Sequence, residues 1–444
     1  MAAPTAPGAR RPADQHADVL VVGGGFGGAF AARAAERRLG GQGVRVVLVC
    51  PDNFLLFSPL LPEATSGTIE PRHAVVPLRD LLRSTELLGG TADEIDLAGR
   101  RAVVTDLQGK ERVVAYRTLV LAPGSDPLTL PIPGLGDHAV GFKTLADAIW
   151  LRNQVLHQLE KASAEVSVER RRELLTFTFI GGGYAGVEAL AELESLVTDV
   201  RRRYRALRSD DFRWVLVEAR DTLLPGLDER LASHTADALR ARGVHLHLET
   251  RLLSCEGGRV VLDDDRVEPF GSETIVWTAG QQPSRLVARL GLPLDDRGRV
   301  QVDDHLRVEG HSGVYAVGDS AAVPDPDGGT CPATAQHALR QGLACGRNVA
   351  ADHGVGRPAP FAYRTRGLAV TLGEGQGTAQ VRRWVFTGWP AWWMGRSYHL
   401  LMIPGAARRA RIVSDWTLGL LFPRDVAQLG SLGRRLPLPA PGQG

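Results

Sequence analysis

Apolar and polar positions along this chain fall into two copies of one pattern. In the first, Val19, Leu20, Val21 and Val22 form an unbroken apolar run that ends in Gly23-Gly24-Gly25-Phe26-Gly27-Gly28 and passes into small helix formers, Ala29 to Ala35. In the second, Thr176-Phe177-Thr178-Phe179-Ile180 ends in Gly181-Gly182-Gly183-Tyr184-Ala185-Gly186 and passes into Val187 to Ala191. An apolar run without alternation predicts a strand buried on both faces. Followed by a G-x-G-x-x-G turn and a helix, it has the order of a dinucleotide-binding unit. Gly23 and Gly181 permit the tight turn, Gly25 and Gly183 let the backbone approach a pyrophosphate, and Gly28 and Gly186 bring helix against strand. The free N–H groups and the positive dipole end of each helix face the phosphates. Two such turns in one chain imply two nucleotides brought together.

The remaining pattern fills in both units. Val44–Val49 predicts the second strand of the first unit, and the ribose-binding acid expected at its end is replaced by Cys50-Pro51-Asp52. Asp52 or Asn53 is left to serve. Residues 53–82 are apolar, proline-rich and too irregular for one element, either core filler or a wall beside the reacting ring. Residues 91–121 predict short strands with a turn at Gln108-Gly109-Lys110, the last strand running over Thr118–Leu121 into Ala122-Pro123-Gly124. Pro127–Pro133 reads as a linker and Lys143–Asn153 as a helix. In the second unit Arg213–Val217 runs into Glu218, whose carboxylate can accept both hydroxyls of an adenosine ribose and repels a 2′-phosphate. That favours NADH over NADPH, with Arg220 nearby pulling the other way; the alternative is an ordinary solvated strand-end acid. Thr274–Thr278 closes the unit at Ala279-Gly280. Gly313–Val317 predicts another buried strand, followed by Gly318-Asp319. Asp319 can hold the polyhydroxyl chain of a flavin, or cap the next helix. That helical stretch, Ala333–Ala351, brings Gln336, His337, Arg340 and Gln341 close to the flavin end.

At 444 residues there is room for two or three domains, and 44% hydrophobic with 23% charged residues is the balance of a soluble globular chain. A net charge of +2 gives no case for nucleic-acid binding. The four cysteines, Cys50, Cys255, Cys331 and Cys345, form no C-x-x-C or C-x-x-x-x-C pair. Without a redox disulfide to pass electrons on, they leave the flavin directly. No metal is expected. Met1–Ala17 is rich in Ala, Pro and Arg and lacks a signal-peptide core. No run reaches the roughly 18 apolar residues of a membrane span. Five of the eight tryptophans (Trp384, Trp389, Trp392, Trp393, Trp416) lie together near the end, interleaved with Arg396, Arg408, Arg409 and Arg411. Such a segment suits a membrane interface; the alternatives are a dimer interface or packing onto the body.

These residues also carry a resemblance. VVGGGFGGAFAA, NFLLFSPLLPEATSGTIEPR, LVLAPGS, KTLADAIWLRN, FIGGGYAGVEALAEL, VEARDTLLP, VWTAG, VYAVGDSAAVP and ATAQHALRQG, spread in order over most of residues 18–350, are similar to the type II NADH:quinone oxidoreductases. These are single-subunit respiratory flavoenzymes that do not pump protons. NFLLFSPLLP and AQHALRQ are the most specific of the segments. The resemblance implies FAD on the first turn and NADH on the second, with a hydride passing from NADH to FAD and two electrons to a quinone. It matches Glu188 to a glutamate near the nicotinamide and flavin that handles a proton or hydride. It places Ala335, Gln336 and His337 in the motif lining the quinone site, Gln336 beside the flavin and Gln341 a further neighbour. His337 is then a polar neighbour or proton donor for the quinone, or else a satisfied helix histidine.

The expected fold is α/β, with two Rossmann-like domains: an FAD domain split over residues 17–135 and 281–355 and an NADH domain over 136–280. Residues 1–16 are expected as a disordered leader and 356–444 as a small C-terminal domain on the membrane surface. The expected cofactor contacts are completed by Phe26, Gly27, Ala122, Gly124, Tyr184, Ala279 and Gly280. The expected place is peripheral, on the cytoplasmic face of the cell membrane, with a homodimer left open. Two other functions stay on the table: an NADH-dependent flavin reductase for a soluble acceptor, and a nucleotide-binding protein without turnover.

Overall fold

The chain builds one sheet, leaves it to build a second, and returns. A computed structural model describes residues 13–365 and 367–428. β1 (Gln15–Val22), α1 (Phe26–Leu39) and β2 (Val46–Cys50) make the first βαβ unit, with β2 parallel to β1. β1 opens inside the stretch expected as leader. Asp14 and Gln15 already pair with Val113 and Val114, a long-range partner that composition does not reveal. The rest of the expected leader, residues 1–12, lies outside the described residues. The irregular segment after β2 breaks into short pieces around α2 (Leu61–Thr65). It serves as core for both units: Leu55, Phe57, Leu60 and Ala64 pack with the first, Leu61 with the second. β3 (Glu86–Asp96), β4 (Arg101–Asp106) and β5 (Glu111–Leu121) follow. β3 and β5 are longer than expected, because each serves the parallel sheet with one end and an antiparallel ribbon around β4 with the other.

The second unit holds β6 (Ala139–Gly141), α3 (Leu145–Ala164), β7 (Thr176–Ile180), α4 (Tyr184–Val200), β8 (Arg213–Val217), α5 (Glu229–Ala241), β9 (Val244–His247) and β10 (Thr274–Trp277). The strands of its main sheet are all parallel, in the order β9-β8-β7-β10-β6, and a small antiparallel sheet over residues 252–271 lies between β9 and β10 in the chain. A capping box starts α3: Asp147 N donates to Thr144 Oγ1 at 3.1 Å and Thr144 N to the Asp147 carboxylate at 2.8 Å. The two crossings between units pair with each other, Ser125–Pro127 antiparallel to Gln281–Pro283. The expected linker therefore begins in a strand. β11 (Val314–Ala316) rejoins the first sheet beside β5, completing the parallel order β3-β2-β1-β5-β11. α6 (Ala335–Asp352) crosses α1 closely, since a Cβ on Gly342 or Gly346 would overlap the carbonyl oxygen of Gly27 or Ala31.

A small antiparallel sheet, β12 (Gly367–Thr371), β13 (Gly377–Val381) and β14 (Trp384–Thr387), then leads to α7 (Gly388–Met402) and α8 (Ala406–Leu421). Trp392, Ile403, Ile412 and Trp416 are buried, whereas Trp384, Trp389, Trp393, Leu401, Leu420, Leu421 and Phe422 are exposed. Among the described residues no helix is long and apolar enough to cross a membrane. Residues 429–444, the end of the expected C-terminal domain, lie outside the described residues.

Candidate active site

Two of the three glycines in each turn are required by the protein itself. Gly23 has φ +106° and Gly181 φ +115°, a backbone region that other residues rarely adopt. A Cβ on Gly28 would overlap the Gly23 carbonyl oxygen, and one on Gly186 that of Gly181. Gly25 and Gly183 differ: each is ordinary extended backbone at a helix N-cap, and a Cβ there meets nothing within 4 Å. The space beside both is open at a helix N-terminus, which is where a pyrophosphate fits. Phe26 and Gly27 begin α1, Phe26 edge-on to Phe57 at 5.5 Å between centroids. Ser320 Oγ and Tyr184 OH, one beside Asp319 and one in the second turn, are buried without a partner among the described residues. A cofactor's polar groups would meet that need.

On the nucleotide side of the second unit, the Glu218 carboxylate accepts Gly182 N at 2.6 Å and Arg220 N at 2.9 Å. Just past β10, the Thr278 hydroxyl donates to Ile180 O and Gly181 O at 3.0 Å, buttressing the turn next to Ala279 and Gly280. In the first unit β2 ends in Cys50, and Asp52 just beyond it is exposed.

The end expected to receive the flavin is built across the two units. Ser125, just past the Ala122–Gly124 turn, donates to the Asp319 carboxylate at 2.9 Å. Lys143, ahead of α3, donates to Ser125 Oγ at 2.9 Å and also to the Ser125 carbonyl. Burial pushes the Lys143 ammonium below its ordinary range, and Asp319 and Asp126 oppose that shift. Gln341, buried in α6, accepts Gly318 N at 2.8 Å and so fixes the turn that presents Asp319. Sequence reasoning missed the Lys143–Ser125–Asp319 chain. Its signals are that Lys143 is among only three lysines and that the three residues fall in LVLAPGS, KTLADAIWLRN and VYAVGDSAAVP, three of the segments that carry the resemblance.

At the start of α6, Gln336 is held from both ends of its amide. Oε1 accepts Tyr363 OH at 3.0 Å, and Nε2 donates to Gly367 O at 3.4 Å. His337 is buried, with Nδ1 at 2.8 Å from Thr334 Oγ1, Nε2 at 3.4 Å from Thr365 Oγ1, and its ring edge-on to Tyr363. Burial pushes its pKa down. Those partners favour the satisfied-histidine reading. Asp325, Cys331 and His337 do bring ligand atoms within 4.8 Å of one another. Cys331 Sγ nevertheless already faces Pro324 O at 3.5 Å, and burial, with Asp325 beside it, pushes its pKa up to about 11. All four cysteines are free thiols.

β12 connects Gln336 to Glu188. Gly367 at one end of the strand bonds Gln336, and Thr371 at the other donates its N–H (2.9 Å) and its hydroxyl (3.3 Å) to Glu188 Oε1. Burial pushes the Glu188 carboxyl up to about 8, and Glu192 and Glu63 add to the shift. Glu192 and Glu63 are themselves buried, a cluster the sequence reading did not pick out. Ser66 donates to Glu192 at 2.7 Å, while Arg396 of α7 and Trp416 of α8 donate to the two oxygens of Glu63 at 3.1 and 2.6 Å. The Arg396 guanidinium lies between the Trp392 and Trp416 rings, 4.0 and 5.0 Å from their centroids. Its sequence signals are an acid inside the apolar run Leu60–Ala64 and the place of Glu63 and Glu192 within NFLLFSPLLPEATSGTIEPR and FIGGGYAGVEALAEL.

Two glycine turns, each between a buried parallel strand and a helix, on units joined by these contacts, define a two-dinucleotide flavoprotein. The chain belongs to the pyridine nucleotide-disulphide oxidoreductase family, whose model matches residues 17–342. Within it, the chain is a member of the type II NADH:quinone oxidoreductase group. It is 30% identical over 419 residues to the type II NADH:quinone oxidoreductase Ndh of Mycobacterium tuberculosis, covering 91% of this chain and 88% of that protein. It is 28% identical to the mitochondrial internal alternative NAD(P)H-ubiquinone oxidoreductase A1 of Arabidopsis thaliana, over 93% of this chain and 85% of that one. The fold is shared with NDH2 of Plasmodium falciparum solved in complex with NADH, at TM-score 0.85 and 17% identity, covering 93% of this chain and 99% of that chain.

Proposed function

We propose that this chain is an FAD-dependent enzyme that oxidises NADH and reduces a membrane quinone without pumping protons. The observation that carries the reading is the pair of open glycine cradles whose units join at Lys143, Ser125 and Asp319. When bound, FAD supplies the redox chemistry, taking the hydride of NADH and passing two electrons on, so that NADH, a proton and quinone become NAD⁺ and quinol. The chain supplies position and the proton. The helix N-termini of α1 and α4 receive the pyrophosphates, and Glu218 receives the adenosine ribose of NADH. Asp319, held by Ser125 and Gln341's turn, orients the flavin's polyhydroxyl chain. Gln336 lines the quinone side. Glu188 holds the proton, since a carboxyl with pKa about 8 is mostly protonated at neutral pH. His337 braces the start of α6.

The exposed face of Trp384, Trp389, Trp393, Leu420, Leu421 and Phe422 supports seating on a membrane surface, on the cytoplasmic side where NADH is available. A second copy of the chain is the competing occupant of that face, and sedimentation without detergent separates the two. The whole reading is tested by anaerobic titration. NADH bleaches the flavin band and a short-chain quinone restores it. Bleaching without restoration transfers the reading to a soluble acceptor, and no bleaching leaves a nucleotide-binding protein without turnover.

A further inference from the structure

The two dinucleotide turns can be superposed by their hydrogen bonds, and one position then stands out. Gly23 N donates to Val49 O at 2.9 Å and Gly181 N to Val217 O at 2.8 Å, so Cys50 stands where Glu218 stands. The Glu218 carboxylate takes the N–H groups of Gly182 and Arg220. The Cys50 sulfur faces the corresponding pair, the N–H groups of Gly24 and Asp52. Both seats are tight. A Cβ built on Gly24 would lie 2.5 Å from Cys50 Sγ, and one built on Gly182 would lie 3.1 Å from Glu218 Oε2. A thiol thus fills the seat from which an acid ordinarily receives the adenosine ribose.

We infer that Cys50 leaves the FAD site without recognition of the adenosine ribose hydroxyls, so that FAD is held by its pyrophosphate and its flavin end. The inference rests on the reading that the first turn binds FAD. A carboxylate has two oxygens with lone pairs to spare after the backbone N–H groups are served, and its charge strengthens each hydroxyl bond. A thiol ends two bonds closer to the strand and spends its weak acceptor capacity on those N–H groups. It keeps a single weak S–H donor. Burial, with Asp52 nearby, holds it in that neutral form. Asp52, two residues on, occupies the exposed position that corresponds to Arg220.

The test is a flavin exchange on the holoenzyme. Purified protein is equilibrated with equal excess concentrations of FAD and its 2′-deoxyadenosine analogue, and the flavins retained after gel filtration are weighed against each other by mass spectrometry. Wild type is expected to hold the two within about threefold of each other. Cys50→Glu is expected to prefer FAD by about tenfold or more, the worth of a hydrogen bond to a charged group. A tenfold preference for FAD in wild type overturns the inference and hands the hydroxyl to another acceptor, Asp52 first. That arm needs no variant, so it decides the matter even if Cys50→Glu does not fold. A purified chain that binds neither flavin overturns the functional reading and this inference together, which separates the two failures.

Discussion

Glu188 illustrates how surroundings choose between a charge and a proton. A free glutamate ionises near pH 4.3, but burial, with Glu192 and Glu63 beside it, carries this one up to about 8 against two hydrogen bonds from Thr371. Proton donation is therefore available at neutral pH and is lost as pH rises through about 8. Flavin reoxidation by quinone is expected to slow above that pH in wild type and to be slow and flat in Glu188→Gln, with reduction by NADH unchanged in both. A wild-type profile that stays level to about pH 9.5 removes Glu188 from proton donation. Stability follows the same sign. A carboxyl with a raised folded pKa contributes fully below its unfolded value and loses that contribution as pH climbs to about 8. Glu188→Gln should thus gain Tm relative to wild type on the alkaline side. Glu218 is the contrasting residue, a fixed acceptor held by two backbone N–H groups. Glu218→Ala is expected to raise KM for NADH about tenfold and to narrow the preference over NADPH. An unchanged preference assigns nucleotide selectivity elsewhere.

At the level of elements, the glycine turns separate what folding requires from what a cofactor requires. Gly28→Ala forces a methyl group into the Gly23 carbonyl and should cost about 3 kcal/mol or more in denaturant unfolding. Gly25→Ala adds a methyl group to open space on ordinary backbone, so its far-UV spectrum and unfolding midpoint should match wild type while FAD is retained more weakly. Equal flavin retention in Gly25→Ala argues against the pyrophosphate lying there. Both turns were legible in the sequence because everything that defines them, a buried strand, three spaced glycines and a helix start, is local. β8 was legible to the residue for the same reason. β3 and β5 were read as shorter strands, because their outer halves are stabilised only by pairing with β4 and leave no distinct periodic mark. Lys143 and Glu63 went unread for a stronger version of that reason. The partner of Glu63 is Arg396, 333 residues away, and no local pattern shows that an acid in an apolar run has a cation waiting.

Across the whole molecule, the C-terminal helices face two ways, and the two faces make separable predictions. The inner face is an anchor: Arg396 and Trp416 donate to the two oxygens of Glu63, whose carboxyl burial pushes up while both partners pull it down. Removing the cation from a buried pair leaves an uncompensated acid and costs about 3–5 kcal/mol. Arg396→Leu should therefore unfold at lower denaturant, and Glu63→Leu on the same background should recover part of the loss, since an apolar pair replaces a broken ionic one. The outer side chains, Trp389, Trp393 and Phe422 among others, are exposed to solvent, with Trp389 and Trp393 stacked on each other. Each large apolar side chain moved out of water contributes about 1.5 kcal/mol or more. Replacing those three by serine should lower affinity for lipid vesicles at least about a hundredfold, while Tm and turnover of a water-soluble short-chain quinone stay at wild-type values. Loss of Tm in the triple variant shows that these side chains pack rather than dock. Undiminished vesicle binding moves the membrane contact off these three side chains. The combination expected here, a stable and catalytically intact body that no longer binds lipid, identifies the outer face as the membrane-seating surface, while the Arg396→Leu and Glu63→Leu pair tests the Glu63 cluster as what fixes it to the body.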